Sequence, residues 1–329
     1  MKALLCRPGT PLLVDDHPQP VPSPGEALIR VLLAGICRTD QELVAGYMDF
    51  DGVLGHEFVG RVESCPEQPE LEGQRVVGEI NCPCGRCSFC RADLGTHCPH
   101  RTVLGIAGRD GCLAERLTLP AANLHPVPQE LTDTEAVFTE PLAAACRILE
   151  QVDPGTGVPV LVIGDGKLGI LCAWVLSCEG ECPVTLLGRH RGNLALAAAG
   201  APGELQTLHT DHYRQPAPDE RYPLVVEASG SPSGLHTAVQ ATRPGGILVL
   251  KSTLAAGEAQ NLTPLVVDEI TLVGSRCGPF PAALASMARH RHPLERLVSA
   301  RFPLHYGVEA LAEASRPGTL KVLVETDAP

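Results

Sequence analysis

Val158–Cys178 reads VPVLVIGDGKLGILCAWVLSC, and the reading of this stretch decides the fold. Val160–Ile163 is an apolar strand, followed at once by Gly164-Asp165-Gly166-Lys167-Leu168-Gly169 and then a helical pattern. G-x-G-x-x-G is a weak signal alone but a strong one between a strand and a helix, where it marks a dinucleotide site. Gly164 permits the tight turn, Gly166 lets the backbone approach a pyrophosphate, and Gly169 lets helix and strand pack closely. Lys167 and Leu168 open the helix, whose free N–H groups and positive dipole end suit phosphates. A glycine-rich turn without a ligand is the plainer alternative, and the flanking elements disfavour it.

Outward from this motif the chain alternates strand and helix. PVTLLG, YPLVVEASG, GGILVLKS and EITLVGS read as strands, and NLALAAAG and PSGLHTAVQAT as helices. Such alternation implies βαβ crossovers and a doubly wound parallel sheet. The coenzyme is expected to be read at the end of the second strand, where an NAD enzyme carries an acid for the ribose 2′-hydroxyl. This chain has Leu187-Gly188-Arg189-His190-Arg191 there, with no acid between Cys182 and Glu204. Arginine's planar fork suits a 2′-phosphate, so NADP is expected, with Arg189 and His190 in contact with it and NAD as the other option. Alternatively, Arg189 and Arg191 are solvated loop residues and NAD binds without an acid clamp. Ser229, at the end of the strand YPLVVEASG, is placed near the cofactor.

Before the helix-compatible EPLAAACRILEQV the texture differs. ALIRVLLAG, FVGRVES, QRVVGEI and AERLTLP are short strands broken by Gly and Pro, which suggests a β-rich, distorted barrel. Within it, NCPCGRCSFCRADLGTHC holds Cys84, Cys87, Cys90 and Cys98, spaced C-x2-C-x2-C-x7-C. Four thiolates this close can enclose one tetrahedral zinc with no open position, the pattern of a structural site. Two disulfides are the alternative, disfavoured because MKALLCRPGT lacks the apolar core of a secretory signal. Cys37, His56 and Glu57 offer further zinc donors. As isolated residues, Cys37 and His56 read better as a buried thiol and a hydrogen-bonded core histidine.

The 329 residues suffice for two domains with cores. A net charge of −12 argues against a nucleic-acid partner, which would require a basic face. No apolar run reaches transmembrane length. Fourteen cysteines without an export signal suggest a reducing compartment, the cytoplasm.

Taken in order, GICRTD, GHEFVGRV, the four cysteines, TEPLA and VLVIGDGKLG resemble the zinc-dependent medium-chain dehydrogenase/reductase family across nearly the whole chain. The texture is closest to its sorbitol- and threonine-dehydrogenase-like branches. The resemblance implies an α/β protein with a GroES-like catalytic domain at 1–141, including a zinc lobe at about 80–100. A Rossmann domain would span 142–278, and 279–329 would return to the catalytic domain. It places Cys37 and His56 on catalytic zinc ligands, and Glu57 on a ligand or its close partner. Glu140 falls where polyol relatives carry a glutamate that binds zinc or holds its water. Cys84, Cys87, Cys90 and Cys98 fall on the structural ligands, and Cys82 matches none. Thr39, otherwise a plain turn residue, matches the hydroxyl that starts a proton relay. Gln41 and Glu42 stand where many relatives have a histidine, so Glu42 or water would continue it. Arg276 resembles a substrate-side arginine, or else pairs with a carboxylate. Asp40 is assigned no chemistry.

The activity implied is hydride transfer between a secondary alcohol or polyol and NADP(H) or NAD(H), in a homodimer or homotetramer. An NAD-dependent dehydrogenase of a hydroxy amino acid is the enzyme alternative. A non-catalytic nicotinamide sensor is another, disfavoured because a sensor gains nothing from a Lewis acid.

Overall fold

The computed structural model describes residues 1–7, 10–253 and 261–326. The chain forms two compact units, one of Met1–Glu140 with Val298 onward and the other Pro141–Leu297. The return to the first unit thus begins at Val298 rather than near 279, because the helix Phe280–His290 belongs to the second unit.

The second unit is built on six parallel strands: β1 (Val160–Ile163), β2 (Val184–Gly188), β3 (Leu205–His209), β4 (Tyr222–Glu227), β5 (Thr242–Leu250) and β6 (Thr271–Gly274). Their spatial order is β3-β2-β1-β4-β5-β6, the doubly wound order of a dinucleotide-binding sheet. The order reverses at β1, so the glycine loop after β1 lies at the switch point where such sheets bind ligands. Helices α1 (Lys167–Cys178), α2 (Arg191–Ala199) and α3 (Pro232–Ala241) are crossover helices. Residues 169–177 of α1 are all buried, as expected of a helix apolar on every side. Leu161, Ile163, Leu187, Val225 and Leu248 pack into one core cluster with Ala238 and Ala241 of α3.

In the first unit, Glu26–Gly35 is the central strand of a seven-stranded sheet. It pairs antiparallel with Glu57–Ser64 on one side and with the C-terminal Lys321–Glu325 on the other. Gly35 stands opposite Glu57 in one ladder and Leu323 in the other. Cys37 follows directly, so this register gathers Cys37, His56, Glu57 and Lys321 from three distant parts of the sequence. A second sheet orders Thr10–Val14, Ala3–Arg7 and Gly52–Val53. Among the described residues, no helix is long and apolar enough to cross a membrane.

Candidate active site

In the first unit, Cys37 caps the N-terminus of the helix Arg38–Val44. Asp40, in the first turn and fully buried, accepts the Cys37 N–H at 2.8 Å and the Gly55 N–H at 3.2 Å. Its Oδ1 also lies 3.3 Å from His56 Nδ1. One carboxylate therefore fixes Cys37, the turn before His56 and the histidine ring together. The ligand atoms of Cys37, His56 and Glu57 lie within 4.8 Å of one another. Burial disfavours charge on His56, yet Asp40 and Cys37 hold its pKa well above the usual histidine value. Soft sulfur, imidazole and carboxylate are the donors zinc accepts, so the residues fit that ion.

Glu57 has a second partner that was not read from the sequence. Lys321, fully buried, forms an ion pair with the Glu57 carboxylate and points its ammonium at the Ile36 carbonyl 3.4 Å away. Gly35 makes the space, because a Cβ there would fall on the end of the lysine and 3.0 Å from Glu57 Oε2. Burial pulls Lys321 down to about 8, against the opposing charges of Cys37 and Asp40. The available signal was a lysine opening the strand KVLVE directly before three apolar residues. Thr39 is half-buried, its Oγ1 3.8 Å from Cys37 Sγ. Glu42 pairs with Arg38 at 3.2 Å on the same helix. Glu140, in the first turn of Thr139–Gln151, is half-buried and stands outside the Cys37–His56–Glu57 cluster.

Cys84, Cys87, Cys90 and Cys98 converge, with Sγ···Sγ separations of 3.4, 3.6, 3.6 and 4.0 Å. A tetrahedron with zinc–sulfur bonds of about 2.3 Å has edges of about 3.8 Å, so the cage fits zinc. The distances are far beyond a disulfide bond of about 2.05 Å, and all four cysteines are free. The backbone N–H of Arg86 draws Cys84 down to about 6, and that of Cys90 lowers Cys87. Cys90 is pushed up to about 11 by desolvation and by the sulfurs of Cys87 and Cys98. Four mutually repelling thiolates are what a divalent cation stabilises. Cys82 is buried apart from the cage, within 3.8 Å of the Asn123 amide.

The second unit carries the glycine cradle. Gly164 has φ +117°, and a Cβ would strike the backbone of Ala228 and Ser229. A Cβ at Gly169 would collide with the Gly164 carbonyl, whereas at Gly166 it would enter open space. Gly166 caps α1 without a side-chain hydrogen bond, and Lys167 and Leu168 follow in the first turn. An exposed, uncapped helix start beside open space fits a pyrophosphate. Ser229 donates its hydroxyl to Glu227 at 2.5 Å. Arg189 is exposed, Arg191 pairs with Asp211 at 3.3 Å, and the His190 ring lies 3.2 Å from the Asp165 carboxylate. The Arg276 carbonyl accepts from the buried Lys251 at 2.9 Å.

Residues 23–129 match the alcohol dehydrogenase GroES-like domain. The chain is 32% identical to an L-threonine 3-dehydrogenase of Chelativorans sp. (strain BNC1), over 78% of each chain. The chain belongs to the medium-chain dehydrogenase/reductase family of the alcohol dehydrogenase superfamily. A D-arabinitol dehydrogenase of Uromyces fabae is 28% identical to this dehydrogenase over 91% of its chain and 90% of the relative. Two solved structures superpose with TM-scores of 0.88 at 25% identity. A zinc-binding dehydrogenase of Sinorhizobium meliloti 1021, bound to NADP, covers 98% of both chains. An alcohol dehydrogenase of Escherichia coli CFT073, in complex with NADH, covers 99% of both. Since these neighbours carry different coenzymes, the dehydrogenase's own residues must decide its choice.

Proposed function

We propose that this dehydrogenase transfers a hydride between a secondary alcohol or polyol and NADP(H). The observation that carries the reading is the convergence of Cys37, His56 and Glu57 in a pocket organised by Asp40. Bound there, zinc supplies a Lewis acid for a substrate hydroxyl, and bound nicotinamide accepts the hydride. Cys37 and His56 would hold the ion. With Asp40 at Nδ1, Nε2 is the ligand atom, and the carboxylate fixes that tautomer. The ion pair with Lys321 holds the Glu57 carboxylate in place beside Cys37 and His56, as a ligand or its close partner. Glu140, outside the Cys37–His56–Glu57 cluster, would hold the water of the zinc rather than the ion itself. Thr39 takes the substrate proton and passes it to water, since Glu42 is engaged by Arg38.

Arg189, exposed and without a side-chain partner among the described residues, supports NADP. The threonine dehydrogenase relative supports a second reading, a hydroxy amino acid substrate anchored by Arg276. We assign the protein to the cytoplasm, supported by a cysteine-rich chain with no disulfide among the described residues. A homodimer or homotetramer paired through β6 is supported by the exposed Leu272 on that edge strand.

The test follows coenzyme absorbance while the zinc-loaded protein meets polyols, secondary alcohols and β-hydroxy amino acids, each with NADP and NAD. Turnover of polyols or secondary alcohols, faster with NADP, is expected. Turnover confined to β-hydroxy amino acids establishes the second reading. No turnover with coenzyme and both zinc ions bound defeats the enzymatic one.

A further inference from the structure

We infer that Asp165 and His209 are positioning residues that select the coenzyme by gripping one peptide unit, that between Arg189 and His190, from both sides. The inference rests on the NADP reading above. The N–H of this peptide, on His190, donates to Asp165 Oδ2 at 2.5 Å. Its C=O, on Arg189, lies 2.8 Å from His209 Nε2. A carbonyl oxygen only accepts, so His209 carries a proton on Nε2, while its Nδ1 lies 3.2 Å from both the N–H and the carboxylate of Asp211. The two gripping side chains come from separate elements. Asp165 lies in the glycine loop after β1, and His209 ends β3, on the far side of β2 in the sheet.

The grip has three consequences. First, it fixes the backbone carrying Arg189 at the end of β2, where this sheet type reads the adenosine ribose. Second, it turns the His190 ring toward Asp165 and leaves Arg189 exposed, while Arg191 shares its charge with Asp211. Third, it excludes an acid clamp on β2. A Cβ at Gly188 would fall on the Asp165 carboxylate, so no side chain fits at that position while Asp165 is in place. Asp165 itself is buried and engaged with His190, and its own carbonyl accepts the Asn193 amide at 3.0 Å, tying the glycine loop to α2. With the peptide doubly anchored, binding a 2′-phosphate has only the Arg189 side chain left to order, not its backbone.

The test is calorimetric binding of adenosine 2′,5′-bisphosphate and adenosine 5′-monophosphate, which differ only in the 2′-phosphate. Melting temperatures verify that each variant is folded. Wild type is expected to prefer the bisphosphate, and Arg189→Ala to lose the preference. Asp165→Ala and His209→Ala should each weaken the bisphosphate about tenfold while changing the monophosphate less than about twofold. His209→Gln, which places an amide N–H near the Nε2 position, should restore most of the loss. A wild type without preference defeats the NADP reading and this inference together. A preference lost in Arg189→Ala but kept in both grip variants defeats this inference alone. Equal weakening of both ligands makes the grip general loop support. Selective weakening of the monophosphate in Asp165→Ala makes Asp165 a direct clamp on the ribose hydroxyl. Either result overturns the proposal.

Discussion

Asp40, Lys321 and His292 are buried polar residues whose roles depend on what surrounds them. Asp40 lies three residues after Cys37, in the first turn of the helix that Cys37 caps, and its contact with His56 required the fold. Lys321 meets Glu57 across 264 positions of sequence, and no local pattern pairs them. His292 stacks on Trp174 at 6.2 Å, with Nε2 2.9 Å from Ser286 Oγ. Burial pulls this histidine down to about 4, the charge of His290 acting with it and Glu179 against it. The unfolded chain binds this proton below about 6.5, whereas the folded one does so only near 4. Between these values the unfolded state holds more protons, so stability rises with pH across that window. Acidification from pH 7 to 4 should therefore cost up to about 3 kcal/mol from this residue alone. Urea unfolding of wild type and His292→Phe, which keeps a stacked ring, should show a shallower pH dependence in the variant. Identical slopes would remove His292 from the account.

At the scale of elements, the strong local patterns were legible. The apolar run KLGILCAWVLSC forms α1 over the same residues, Lys167–Cys178. Strand β3 was not read, because LQTLH sits half-exposed at the sheet edge and lacks the apolar signature of its neighbours. The four-cysteine lobe owes little to regular structure. It contains the short helix Ser88–Arg91, a turn at Gly95–His97 and the two-residue strands Asn81–Cys82 and Thr102–Val103. Elements this small hold their shape through the metal. Cys84→Ser should lower the zinc content by about one ion per chain and destabilise the protein by several kcal/mol, measured by metal analysis and thermal unfolding. Normal zinc content and stability would contradict the structural-site assignment.

At the scale of the whole molecule, the metal pocket belongs wholly to the first unit and the glycine cradle wholly to the second. Each is built from its own unit's strands, so chemistry and coenzyme binding should separate. Cys37→Ser should reduce turnover by at least about a thousandfold while leaving adenosine 2′,5′-bisphosphate affinity within about twofold. Turnover close to wild type would defeat the catalytic-zinc assignment. The sequence by itself determined the doubly wound sheet, the nucleotide loop and the four-cysteine cage. Each of these is specified by residues close together in the chain, where periodicity and spacing act directly. Only the tertiary structure decided that Asp40 pins His56, that Lys321 faces Glu57, and that Asp165 with His209 grips the peptide after Arg189. These contacts join residues on different strands and loops, and strand register and order set which of them meet.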